Sequence, residues 1–165
     1  MVPVRERLAR LASGEMTREQ AMVRGAADFL DLLSQKEDLE LYVFSGTDRD
    51  DVRNEAKQLG VAHYFIEIWG ALRTFQEYSK EKIIKDLVEK HNLHGPEVMA
   101  VGDGPVELRN VKAVGGIAVG VPSDEKRGFG LDEEKRTRLI KAGADIIIPD
   151  FSEARALADY LFPGN

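Results

Sequence analysis

The sequence contains no cysteine in its 165 residues. A disulfide framework and thiolate chemistry are therefore excluded for this chain. No apolar run approaches the roughly 20 residues that a membrane-spanning helix needs. The first 15 residues, MVPVRERLARLASGE, also lack the continuous apolar stretch of a secretory signal. Together these absences favour a cytoplasmic protein.

The chain also lacks an excess of positive charge. The chain has 23 Lys and Arg residues against 29 Asp and Glu residues, which gives a net charge of -6. The basic residues are spread along the sequence, whereas a nucleic-acid footprint or a polybasic membrane patch needs them clustered. We therefore expect neither nucleic acid nor membrane as a partner. The 43% hydrophobic residues are ordinary for a globular protein with one real core.

The sequence does contain a regular alternation of apolar runs with helix-forming segments. We expect strands at residues 39–47, 63–70, 97–101, 115–121 and 144–150. We expect helices within residues 1–34, from an N-cap at Thr47 to Gly60, from Lys80, from Asp132 to about Gly143, and from a cap at Ser152 to about Leu161. Runs rich in Val and Ile that alternate with helices predict a parallel sheet covered on both faces.

Ligands of such sheets bind beyond the carboxyl ends of the strands. The segment Ser45-Gly46-Thr47 follows the first expected strand and opens a helix. Its hydroxyl and backbone amides can form a small anion site, or they can cap the helix and do nothing more. The residues alone leave both readings open.

Lys80 stands at the start of its expected helix, in YSKEKII. A cation there opposes the positive end of the helix dipole, and an anionic ligand would explain its position. The alternative is a solvated surface lysine, which is very common.

Asp103 and Glu107 lie in VGDGPVELRN, directly after the third expected strand. Two acids about one helical turn apart can share a hard cation such as Mg²⁺, which proteins usually hold with one or two carboxylates plus phosphate and water. The alternative is a turn Asp and a helix-start Glu, with which Gly104 and Pro105 are equally compatible.

In this order, Ser45, Lys80 and Gly102-Asp103 resemble motifs two, three and four of the haloacid dehalogenase (HAD) superfamily of phosphohydrolases. The resemblance extends over roughly residues 25 to 162. It implies an α/β, three-layer, Rossmann-like fold and Mg²⁺-dependent hydrolysis of a small phosphorylated metabolite. It also implies catalytic roles for Ser45 and Lys80, phosphate binding by Ser45, Gly46, Thr47 and Lys80, and Mg²⁺ binding by Asp103 and Glu107.

One departure from the family concerns its first motif, an Asp-x-Asp at the end of an earlier strand. This motif supplies the nucleophile and the acid/base. Only helical sequence precedes the expected strand that contains Ser45, and Asp150, after the last expected strand, is the one substitute we consider. We therefore expect a sheet without its central strand, in which the flanking strands pair directly or a homodimer covers them.

By the same resemblance, residues 1–34 would be the end of a helical cap and residues 35–165 an incomplete core. Three functional hypotheses follow. The chain is an incomplete phosphatase that is inactive without its nucleophile, a non-catalytic HAD-like binding or oligomerisation module, or an active enzyme with an unrecognised nucleophile.

Overall fold

The computed structural model describes residues 2–72 and 80–164, and within them it contains eight α-helices and five β-strands. The helices are α1 (Val4–Ser13), α2 (Arg18–Ala21), α3 (Ala26–Ser34), α4 (Arg49–Gln58), α5 (Lys80–Lys90), α6 (Pro105–Ala113), α7 (Glu133–Lys141) and α8 (Ala154–Leu161). The strands are β1 (Tyr42–Asp48), β2 (Glu67–Ala71), β3 (Met99–Gly102), β4 (Ile117–Gly120) and β5 (Ile146–Ile147). Within these residues, no helix combines the length and the apolar character of a membrane span.

The chain divides into two compact units. The first contains α1 to α4, β1, β2 and the C-terminal helix α8, and the second contains α5 to α7 and β3 to β5. Strands alternate with helices in both units, as the sequence predicts for an α/β fold.

All strand pairs are parallel, which confirms the expected sheet type. The strands form two sheets rather than the one that we expected: β1 pairs with β2, and the second sheet has the order β3-β4-β5. Within its own unit, each of β1 and β3 pairs with the strand that follows it in the chain, because the intervening helix packs back onto the same pair.

The core of the second unit lies around α6 and α7. Leu108 and Val111 of α6, Ala118 of β4, and Leu139 and Ala142 at α7 are buried together. Leu108 is fully buried and directly follows Glu107. This packing anchors the first turn of α6, which carries the candidate metal ligand.

The first unit has a separate core between α3 and α8, built around Phe29 and Leu33. The rings of Phe29 and Phe151 stack with centroids 4.9 Å apart, and the Phe151 N–H donates to the carbonyl of Arg24. Gly25, at φ 78°, lies so close to the Phe151 carbonyl that a Cβ would collide with it. A glycine is therefore required where the C-terminal segment docks onto α3.

Several expected boundaries are corrected. Residues 1–34 form three helices, and a capping box between Thr17 and Gln20 opens the second of them, α2. The expected strand at 63–70 begins instead with a 3₁₀ turn, Ala62–Tyr64, and becomes a strand only at Glu67. Ser152 does not cap α8, because Glu153 occupies that position without a side-chain hydrogen bond. The division into a cap at 1–34 and a core at 35–165 stays a prediction.

Candidate active site

The turn after β3 places Asp103 and Glu107. The Val121 N–H donates to the Gly102 carbonyl at 2.9 Å and holds the end of β3 against the segment after β4. Gly104 precedes α6, and a Cβ at this glycine would collide with Oε2 of Glu107. The missing side chain of Gly104 therefore leaves the space in which the Glu107 carboxylate folds back over the turn.

Lys80 reaches this turn from the start of α5. Its Nζ donates a hydrogen bond to Oε1 of Glu107, and the two side chains are only 15% and 23% exposed. Burial lowers the pKa of the Lys80 ammonium, and the negative charge of Asp103 opposes that shift. The structure thus brings Lys80, Asp103 and Glu107 together within the second unit. Their roles in catalysis and metal binding stay predictions.

The donor set of this turn suits a hard divalent cation bound together with an anion. Asp103 and Glu107 offer carboxylate oxygens. The Lys80 ammonium pairs with Glu107, and the Lys135 ammonium pairs with Asp103. In the part of the chain that the structure describes, no group of three or more acidic or histidine side chains could hold a metal. Mg²⁺ needs only one or two carboxylates when water and phosphate complete its shell. The residues fit that mode of binding.

Lys135 is a member of this cluster that the sequence analysis missed. Its Nζ lies 3.7 Å from Oδ2 of Asp103 and 3.6 Å from Oε1 of Glu125, and it donates to the Ser123 carbonyl at 3.2 Å. Lys135 lies in the first turn of α7, whose N-cap is Asp132. A lysine in the first turn of a helix is the same signal that singled out Lys80, and it could have identified Lys135 as well.

Ser45, Gly46 and Thr47 belong to the first unit. The Oγ of Ser45 accepts a hydrogen bond from the Thr47 N–H at 3.1 Å, within an irregular part of β1 between Phe44 and Asp48. The helix begins only at Arg49. The expected N-cap at Thr47 is therefore wrong, since Asp48 holds that position and accepts from the Asp50 N–H. Phosphate binding by this segment stays a prediction.

An Asp-x-Asp spacing that was not predicted as a motif occurs at the end of β1, at Asp48 and Asp50. Asp48 caps α4, and the Asp50 side chain is 84% exposed beside Arg49. This arrangement is that of a helix start. No strand precedes β1 in residues 2–41, so an Asp-x-Asp at the end of an earlier strand is not found there.

Comparison with known proteins agrees with this architecture. Residues 3–121 match the model of the family described as haloacid dehalogenase-like hydrolase. No curated protein matches the sequence. Similar solved structures include a haloacid dehalogenase-like family hydrolase from Streptococcus pneumoniae, with 22% identity and a TM-score of 0.59. Others are a protein from Haemophilus somnus described as a predicted phosphoglycolate phosphatase (18%, 0.63) and CbbY from Rhodobacter sphaeroides in complex with xylulose-1,5-bisphosphate (19%, 0.61).

These three alignments cover 79%, 81% and 91% of this chain, in the same order. They cover only 57%, 56% and 61% of the solved chains, so this chain spans little more than half the length of the structures it matches. At such identities the likeness shows the fold. The family model, in contrast, matches most of the sequence, and the chain belongs to the haloacid dehalogenase-like hydrolase family.

Proposed function

We propose that this chain carries the metal- and phosphate-binding part of a Mg²⁺-dependent hydrolase of small phosphomonoesters. The observation that supports the proposal is the convergence of Lys80, Asp103 and Glu107 at the carboxyl end of β3, inside one compact unit. The substrate would be a small phosphorylated metabolite in the cytoplasm.

Each of these residues has a role that suits its chemistry. The Lys80 ammonium neutralises the phosphoryl group, and the carboxylates of Asp103 and Glu107 hold Mg²⁺. When bound, Mg²⁺ supplies charge neutralisation to the phosphate oxygens. Ser45, with the backbone of Gly46 and Thr47, binds phosphoryl oxygen by hydrogen bonding. This is phosphoryl transfer by positioning and charge stabilisation.

Turnover also requires a nucleophile. Two candidates among the described residues are Asp48, the last residue of β1, and Asp150, which follows β5. Asp48 is engaged as the cap of α4. We therefore propose that the chain by itself binds Mg²⁺ and phosphate but hydrolyses phosphomonoesters slowly or not at all.

Titration calorimetry with MgCl₂ in the presence of inorganic phosphate tests this function. Asp103→Asn should weaken Mg²⁺ binding by about tenfold or more, because it removes the charge of a direct ligand. Asp86→Asn, which removes an exposed acid of α5, is the matched control and should leave binding unchanged. Equal affinities for both variants would contradict the proposal.

Phosphate release from p-nitrophenyl phosphate and a panel of sugar phosphates, with and without Mg²⁺, tests the expected lack of turnover. Metal-dependent release that Asp103→Asn abolishes would mean that the chain contains a nucleophile. Asp48→Asn and Asp150→Asn would then identify it.

A second candidate function is a non-catalytic binding or oligomerisation module. The strands β1 and β3 each pair on one edge only within the described residues, and unpaired edges are association sites. In this alternative a second copy of the chain would cover them. Light scattering that finds a monomer at every concentration, together with Mg²⁺ binding that depends on Asp103, would favour the hydrolase.

A further inference from the structure

The positive charge of Lys135 lies beside Asp103, the carboxylate that we expect to bind the metal. Its ammonium lies among three oxygens, at 3.7 Å from Oδ2 of Asp103, 3.6 Å from Oε1 of Glu125 and 3.2 Å from the Ser123 carbonyl. The side chain is only 18% exposed. An arrangement of two carboxylates and a carbonyl around one cation resembles the oxygen shell that proteins offer to hard metal ions.

Lys135 also occupies an electrostatically unfavourable position in its helix. It lies in the first turn of α7, where the helix dipole disfavours a positive charge. Holding a partly buried ammonium there requires compensation from nearby negative groups. Asp103 and Glu125 provide it, and both lie in segments that follow parallel, neighbouring strands, β3 and β4. The contact therefore joins α7 to the carboxyl edge of the sheet.

We infer that Lys135 is an internal cation that competes with the divalent metal for Asp103 and thereby sets the metal affinity of the site. This inference rests on the proposed function, since it takes Asp103 as a metal ligand. Lys135 contacts Asp103 and acts through it, so it is a positioning residue. Its ammonium compensates the negative charge of Asp103, and metal binding then requires Asp103 to exchange one cation for another.

Removal of the positive charge of Lys135 should raise the affinity of the site for Mg²⁺, whereas most substitutions near a binding site lower it. At separations of a few ångströms, loss of one positive charge should strengthen the binding of a divalent cation by about tenfold or more. Lys135→Met should therefore bind Mg²⁺ more tightly in calorimetry with MgCl₂ alone. A purely structural lysine would give unchanged or weaker binding when it is removed. Lys135→Arg keeps the charge and should keep the affinity of the unsubstituted chain.

Lys141→Met is the matched control, because it removes the same charge from an exposed position at the other end of α7. Glu125→Gln should shift the affinity in the opposite direction to Lys135→Met, since Lys135 then has Asp103 as its one remaining carboxylate partner. Lys135→Gln provides a second neutral variant should Lys135→Met fold poorly, which circular dichroism would reveal.

Tighter Mg²⁺ binding by Lys135→Met or Lys135→Gln than by Lys141→Met supports the inference, even if the unsubstituted chain binds too weakly to measure. Equal or weaker binding overturns it. The proposed function is judged separately by Asp103→Asn. If Mg²⁺ binding survives that substitution, the metal site itself is wrong. If Asp103→Asn abolishes Mg²⁺ binding and Lys135→Met does not strengthen it, Asp103 is a metal ligand but Lys135 does not compete with the metal.

Discussion

The ammonium of Lys80 donates a hydrogen bond to Oε1 of Glu107, and this contact joins the first residue of α5 to the first turn of α6. Both side chains are mostly buried. The pair therefore stabilises the second unit as well as shaping the candidate site.

A double-mutant cycle with Lys80→Met and Glu107→Gln should measure a coupling free energy of about 1–3 kcal/mol, because a partly buried, charge-assisted hydrogen bond is lost. Urea unfolding of the four proteins gives this value. The exposed pair Lys85 and Glu81, on the same helix α5, is the control and should couple much more weakly. Similar coupling free energies in both cycles would contradict the prediction that burial strengthens the contact between Lys80 and Glu107.

Gly70→Ala should destabilise the first unit by about 1–3 kcal/mol, because β2 passes close to the junction of β1 and α4. A Cβ at Gly70 would lie 2.6 Å from the Arg49 Cα and 2.7 Å from the Thr47 carbonyl oxygen. Thermal unfolding followed by the fluorescence of Trp69, the single tryptophan, measures the effect. Gly46→Ala is the control in the neighbouring segment, since nothing lies within 4 Å of its Cβ position. Equal melting temperatures for the two variants would show that Gly70 has room for a side chain.

Asp145 should contribute to stability in a pH-dependent way. The Ala118 N–H donates to its Oδ2 at 2.8 Å and the Lys112 ammonium pairs with it, and these contacts lower the pKa of Asp145 below its usual 3.8. A lowered pKa stabilises the fold above the unfolded-state value, and this contribution is lost as the pH falls through the folded-state value.

Asp145→Asn should therefore be less stable than the unsubstituted chain at pH 7, by about 1 kcal/mol or less because the pair is partly solvated. The difference should shrink as the pH falls below about 4. Urea unfolding between pH 7 and pH 2 measures it. Lys112→Met should reproduce part of the change, since the hydrogen bond from Ala118 remains. A difference that stays constant with pH would contradict the prediction.

Tyr42 should ionise late. Burial and the hydrogen bond from its hydroxyl to Glu40, at 2.7 Å, raise the pKa of Tyr42 from 10.0 to about 12. The neutral phenol therefore stabilises the fold below pH 10, and this contribution is lost as the pH rises toward 12.

Ultraviolet absorbance at pH 11 measures this ionisation. The absorbance difference between the unsubstituted chain and Tyr42→Phe should show little tyrosinate, because Tyr42 is still mostly neutral at this pH. Glu40→Gln removes the negative charge of the acceptor, so a larger fraction of Tyr42 should be ionised at pH 11 in this variant. A half-ionised Tyr42 at pH 10 would contradict the prediction.

Much of the candidate site was predictable from local sequence. Lys80 attracts attention because a lysine at a helix start is unfavourable, and Asp103 and Glu107 because they follow a strand on a glycine-containing turn. These signals depend only on neighbours within about one helical turn. The start of α4 was not predictable to the residue, because pairing of Asp48 with Ala71 of β2 extends β1 past Thr47.

Lys135 shows the opposite case. Its partner Asp103 lies 32 positions earlier in the sequence, and their proximity follows from parallel pairing of β3 with β4 and from packing of α7 on β4. No local pattern contains that information. The helix-start position of Lys135 is a local signal, but it does not say which carboxylate the ammonium meets.

The sequence by itself determined the alternation of strands and helices, the order of the candidate residues along the chain and the exclusion of thiol chemistry, because each depends on composition or on short-range spacing. Only the tertiary structure decided that the strands form two parallel sheets, that Lys80 bonds to Glu107, and that Lys135 stands beside Asp103. Strand pairing and ion pairing join residues that are distant in the chain, and their choice of partner is settled by the packing of whole helices against the sheet.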